Sequence, residues 1–99
     1  MEKRVPHCPL NVVKALIATD KVRATASAFQ GARSLGIPDL ASMCAVVMAL
    51  TPGDFTKSMT THADHRIWQD VYRPRTPAGD VYLKLTVIDD VLIVSFKEL

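Results

Sequence analysis

The sequence holds two cysteines, Cys8 and Cys44, and no CxxC spacing. A lone pair in a chain able to build a core does not describe a secreted disulfide scaffold; it fits a reduced, cytoplasmic protein. Long apolar runs are missing as well. The most hydrophobic stretch, residues 45–50 with its flanks, is far short of the roughly 20 residues a membrane helix needs, so no membrane association is expected. The charged opening MEKRVPHCPL is followed by no apolar segment, and no secretory signal is expected. Net charge is only +2, so an anion-binding surface must come from local clustering. No repeat, low-complexity tract or linker interrupts the chain. What remains are the proportions of an ordinary globular protein, 48% hydrophobic and 22% charged over 99 residues. A chain of that length buries roughly two-thirds of its unfolded surface, and a single domain over residues 1–99 is expected.

Periodicity divides the chain into a helical half and a strand half. This predicts an α+β fold, with an antiparallel sheet in the C-terminal half and the N-terminal helices packed on it. Leu10, Val13, Leu16 and Ile17 follow a helical stripe that Asp20-Lys21 ends. A second helix is expected from about Thr25 to Leu35, stopped by Gly36, and a third from about Asp39 to Leu50. Thr51-Pro52-Gly53-Asp54 is a shortened capping box, leading into an extended Lys57-Ser58-Met59-Thr60-Thr61. Trp68 to Arg73 reads as a strand, and RPRTPAG (73–79) as a loop.

The last nineteen residues, VYLKLTVIDDVLIVSFKEL, read as a hairpin about Asp89-Asp90. A two-residue turn there pairs Ile88 with Val91. Leu83/Phe96, Leu85/Val94 and Val87/Leu92 then form one apolar face. The other face carries Tyr82/Lys97 and Lys84/Ser95 at its open end, and Thr86/Ile93 and Ile88/Val91 at its turn. Such a divided face predicts a covered turn end and a polar floor at the open end. A plain solvated sheet face would explain the same lysines.

Residues 57–75 add Lys57, His62, His65, Arg66, Arg73 and Arg75 against Asp64 and Asp70. That local excess suits a polyanion, since guanidinium groups pair with phosphate in fork geometry. Trp68 and Tyr72 lie among them, as base-stacking residues would; a core position is the competing reading for Trp68. His62-Ala63-Asp64-His65 lacks a further ligand at metal-site spacing and reads as a polar turn, so neither metal nor cofactor is expected. No nucleophile elbow is present. The third helix is nearly uncharged, so no direct DNA reading by this chain alone is expected.

DFTKSMTTHADHRIWQDVYRPR (54–75) and VYLKLTVIDDVLIVSFK (81–97) resemble the MqsR family, toxins of bacterial toxin–antitoxin pairs. The opening MEKRVPH and the helical block are similar too, and KSMTT, WQDVY and DVLIVSFK are specific in combination. The resemblance implies a RelE-like fold and an mRNA interferase. Such a toxin cleaves messenger RNA at GCU-like sites without the ribosome, and arrests growth until an antitoxin of the MqsA type binds it. That partner would have a zinc-binding N-terminal part and a C-terminal helix-turn-helix. The family's active-site positions fall on Lys57, Gln69, Tyr82 and Lys97. Arg73 and Lys84 are added on physical grounds as phosphate contacts. Thr56 is a departure, since members of the family often carry Tyr there.

Cleavage by 2′-OH attack on the adjacent phosphate requires a base, an acid and cations for the charge developing on phosphorus. Lys57 and Lys97 suit the charge, Gln69 suits positioning, and Tyr82 suits proton transfer in either direction. His62 and His65 are alternative bases. A non-catalytic regulator that binds nucleic acid or antitoxin is the competing function.

Overall fold

The chain forms three helices, two of them opened by side-chain caps. In the computed structural model, which describes residues 1–99, these are α1 (Leu10–Ala18), α2 (Ala26–Ser34) and α3 (Leu40–Met48). The Thr25 hydroxyl accepts the Ala28 N–H at 3.0 Å, and the Asp39 carboxylate accepts the Ser42 N–H at 2.8 Å, each satisfying a donor the helix start leaves free. Asp20 leaves α1 with φ 61°, and Gly36 follows α2 with φ 76°. There the Ile37 N–H returns to the Ala32 carbonyl at 2.9 Å and the Gly36 N–H to that of Arg33 at 3.0 Å, a Schellman ending. Before the first long strand, Pro52–Asp54 forms one 3-10 turn, with the Asp54 carboxylate taking both the N–H and the hydroxyl of Thr51.

The strands are β1 (Glu2–Lys3), β2 (Val22–Ala24), β3 (Phe55–Thr60), β4 (Trp68–Tyr72), β5 (Arg75–Thr76), β6 (Gly79–Ile88) and β7 (Asp90–Glu98). They lie in the order β1-β3-β4-β6-β7-β2, with β5 paired to β6 off this path. The fold is α+β. The N-terminal half also contributes strands: β1 pairs antiparallel with β3, and β2 runs parallel to β7. Residues 73–79 are not purely a loop, because Arg75 and Thr76 pair with Asp80 and Gly79 in a tight hairpin.

The helices cover one face of the sheet. Val13 and Ile17 of α1, Ala28 and Ala32 of α2, and Met43 and Val47 of α3 pack against Val81, Leu83, Leu85, Val91, Ile93 and Phe96. The opposite face carries no helix, and the six residues singled out from the sequence all rise from it.

The hairpin departs from the expected register at its turn end. Tyr82↔Lys97, Leu83↔Phe96 and Lys84↔Ser95 pair as predicted, but Leu85 then faces Ile93 rather than Val94, Thr86 faces Leu92, Val87 faces Val91 and Ile88 faces Asp90. Val94 is the extra residue of a β-bulge, and Asp89 alone makes the turn with φ 67°. The N-cap of α2 grips the bulge: Thr25 donates its N–H to the Ile93 carbonyl at 3.0 Å and its hydroxyl to that of Val94 at 2.8 Å. The bulge turns Val91 and Ile93 onto the helix face, where both are fully buried. The divided outer face is thereby resolved. No element covers its turn end: Val91 and Ile93 belong to the core, and Ile88 stays exposed beside the turn.

Candidate active site

Alternation along the strands and the observed pairings set three ranks of side chains on the open face. The middle rank is Lys57–Val71–Lys84–Ser95, across β3, β4, β6 and β7. On one side of it, Met59 faces Gln69, and continuing the Asp70↔Leu85 register sets Thr86 next in line. On the other side Tyr82 faces Lys97, and continuing the Tyr72↔Leu83 register sets Arg73 beside Tyr82, just past the end of β4. Lys57, Gln69, Tyr82, Lys84, Lys97 and Arg73 therefore share one face within three adjacent ranks.

The lysines stand close enough for their charges to interact. Burial, then the Lys97 and Lys57 charges, push the Lys84 ammonium below the usual lysine range. The Lys97 ammonium stands 5.3 Å from the Tyr82 ring centroid, a cation–π contact. Val71 forms an apolar floor between Lys57 and Lys84 and is fully buried although no helix covers it. Thr86 closes the floor beside Gln69 by donating its hydroxyl to the Trp68 carbonyl at 2.6 Å. Arg73 is exposed; its N–H fixes the backbone to the Asp54 carbonyl at 2.8 Å, and its guanidinium enters none of the protein's ion pairs.

Two aromatic expectations are corrected. Tyr72 points into the core, fully buried, and offers no stacking surface. Trp68 is neither in the core cluster nor on the open face. It is half-buried at the start of β4, stacked on His7 at 5.5 Å with the Lys3 ammonium 4.2 Å from its ring. His62 and His65 are exposed in the loop joining β3 to β4, beyond the Thr60–Trp68 pair, about 10 Å along the strand from Lys57. In that loop Asp64 accepts Arg66 through both oxygens at 3.0 Å, a turn arrangement.

Sequence reasoning missed one residue of the candidate site, Glu2. It faces Met59 across β1 and β3, and its carboxylate lies 2.9 Å from the Lys57 ammonium. Only the charged opening MEKRVPH hinted at it, since a two-residue strand has no periodicity to read. The N-terminal segment is held by the buried Asp70, which accepts the His7 and Cys8 N–H groups, each at 3.0 Å.

A small α+β protein whose sheet leaves one lysine-lined face bare offers charge that can meet an anion there, with a phenol at hand. Comparison with known proteins shows the family. Residues 5–98 match the family model described as "Motility quorum-sensing regulator, toxin of MqsA". The chain is also 59% identical over 98 residues to the mRNA interferase toxin MqsR of Escherichia coli (strain K12), covering 99% of each chain. The chain belongs to the MqsR toxin family.

Proposed function

We propose that the open face binds messenger RNA and cleaves it, making the protein an endoribonuclease toxin. The observation that carries this reading is the grouping of Lys57, Lys84 and Lys97 with Tyr82 on one uncovered face, close enough that the Lys97 and Lys57 charges act on the Lys84 ammonium. Like charges so placed cost stability in the free protein and are relieved by a bound polyanion. The similar toxin's name, mRNA interferase, supplies the substrate class. The reaction is 2′-OH attack on the adjacent phosphate, which uses groups the chain itself carries and needs neither ribosome nor metal. Lys57, Lys84 and Arg73 hold phosphate oxygens, Lys97 stabilises charge in the transition state, Gln69 positions the RNA through its amide, and Tyr82 transfers a proton. GCU-like sites are the expected targets.

The test is incubation of the purified protein with a defined RNA in excess chelator, followed by mapping of the fragment ends. Fragments ending in 2′,3′-cyclic phosphate and 5′-hydroxyl at GCU support the reading. RNA bound but left intact would favour the non-catalytic regulator.

A cognate antitoxin of the MqsA type is the expected partner, since the family is described as toxin of MqsA. It would carry a zinc-binding N-terminal part and a C-terminal helix-turn-helix that reads DNA for the pair. Strand addition needs a free edge. That of β7 is taken, by β2 along residues 91–93 and by α2 beyond them, which leaves the outer edges of β1 and β2. No helix is long and apolar enough to cross a membrane, and the cytoplasm, where messenger RNA lies, is the proposed place of action.

A further inference from the structure

Glu2 stands in the site without a part in the chemistry above. Its side chain rises from the open face, because it pairs with Met59, and its carboxylate meets Lys57 at 2.9 Å. The segment that carries it is fastened at several points. Asp70 holds the His7 and Cys8 N–H groups, and Lys3 and His7 both rest on Trp68. The other nearby acids are committed elsewhere: Asp70 is buried on the helix side, Asp80 faces Arg75 in the far hairpin, and Asp90 pairs with Arg23 at the opposite edge.

Position completes the argument. β3 and β6 are two strands apart, about 10 Å between backbones. Glu2 with Lys57 thus flanks one side of the Lys84 ammonium, and Tyr82 with Lys97 the other. In-line displacement needs its two proton-transfer groups on opposite sides of the phosphate, one for the attacking and one for the leaving oxygen.

We propose that Glu2 is the general base, taking the proton from the attacking 2′-OH while Lys57 and Lys84 hold the phosphate. This rests on the reading of the open face as an RNA-cleaving site. The O2′–H bond breaks and its proton passes to the Glu2 carboxylate. The O2′–P bond forms as the P–O5′ bond breaks, and the 5′-oxygen takes the hydroxyl proton of Tyr82. The products are a 2′,3′-cyclic phosphate and a 5′-hydroxyl; water then removes the proton from Glu2 and returns one to Tyr82. The hydrogen bond and charge of Lys57, and more weakly Arg4 and the amine of Met1, outweigh slight desolvation and hold the Glu2 carboxyl below its usual range. The group is therefore ionised at neutral pH. A phosphate drawing on Lys57 would loosen that pair and free the carboxylate to act.

The experiment uses the full chain tagged at its C-terminus, an RNA with one mapped cleavage site, and the same oligonucleotide with a 2′-deoxy sugar at the attacking nucleotide as an uncleavable probe. Glu2→Gln should cleave about 100- to 10,000-fold more slowly. It should bind the probe as tightly as wild type or more so, since a negative charge has left, and Glu2→Asp should retain more activity than Glu2→Gln. Cleavage by Glu2→Gln at the wild-type rate overturns the proposal. So does weakened probe binding in step with lost cleavage, which would make Glu2 a support for Lys57 and no more. A wild-type protein that leaves RNA intact overturns the parent reading instead, a separate result seen before any variant is made.

Discussion

Gly31 of α2 lies against the backbone carbonyl of Phe96 on β7, so close that a Cβ at residue 31 would stand 2.0 Å from that oxygen. Helix and strand meet there backbone to backbone, immediately before Lys97. Alanine normally stabilises a helix interior relative to glycine, but here the obstacle is main chain, which cannot rotate aside. Gly31→Ala should cost about 1–3 kcal/mol by overpacking and should lower RNA cleavage by displacing Lys97. Urea unfolding and a cleavage assay at a temperature where the variant is folded would measure both. A variant as stable as wild type would mean the contact yields easily.

Lys57, Tyr82 and Lys97 project from a face without helices and support no part of the helix-side core. Lys57→Ala, Tyr82→Phe and Lys97→Ala should each reduce cleavage about 100-fold or more. Changes at Tyr82 and Lys97 should leave stability within about 0.5 kcal/mol, as surface substitutions do. Full activity in Tyr82→Phe would show that the hydroxyl moves no proton. A loss above about 2 kcal/mol in Lys97→Ala would mark that residue as structural.

These contrasts follow how the sequence encodes the sheet. Tyr82, Lys84 and Lys97 could be placed in advance because polar and apolar residues alternate strictly there, so a slip by one residue would bury a lysine. The turn end has no such constraint. Residues 91–94 are Val-Leu-Ile-Val, apolar in either register, and alternation cannot tell Ile93 from Val94. What decides is tertiary: the Thr25 cap that binds both carbonyls, and the left-handed Asp89. Glu2 was illegible for a related reason. β1 gains its place from Asp70 and Trp68, sixty-odd residues away, rather than from any pattern of its own.

Leu85 and Phe96 are both 1% exposed and lie on the helix face, on either side of the bulge. Leu85→Ala should cost about 2–5 kcal/mol and Phe96→Ala about 3–5 kcal/mol, through lost burial and the cavity left behind. The denaturant midpoint would fall accordingly. A loss under about 1 kcal/mol at either position would contradict the helix-face assignment.

Tyr72 carries a buried hydroxyl with no hydrogen-bond partner, on a ring edge-packed against Phe55 at 5.5 Å. Burial first, then the charges of Asp70 and Cys8, push its phenol up to about 12. A folded-state value above the unfolded one, about 10, means that its contribution to stability is full below pH 10 and is lost as pH rises through about 12. Tyr72→Phe removes both the ionisation and the unsatisfied group. Its stability at neutral pH should equal wild type or exceed it by about 1 kcal/mol, and its alkaline decline should be shallower. Urea midpoints from pH 7 to 11 would test this; a large loss at neutral pH would reveal a partner for the hydroxyl.

Lys84 sets stability against function. It is half-buried between two other cations and enters none of the protein's ion pairs, and both burial and repulsion disfavour its charged form. Because its folded-state value lies below the unfolded one, wild-type stability should gain as pH rises toward the lysine range and the ammonium gives up its proton. Lys84→Met keeps the aliphatic stem over Val71 while removing the charge. The variant should melt higher than wild type at neutral pH, with the difference shrinking in strong salt as screening weakens the repulsion. RNA should pay for that gain: binding weakens, and the slope of log affinity against log salt falls by about one phosphate contact's worth, near 0.7 for a single strand. A Lys84→Met protein that melts lower would mean the ammonium is held by favourable contacts. An unchanged salt slope would remove Lys84 from the phosphate path.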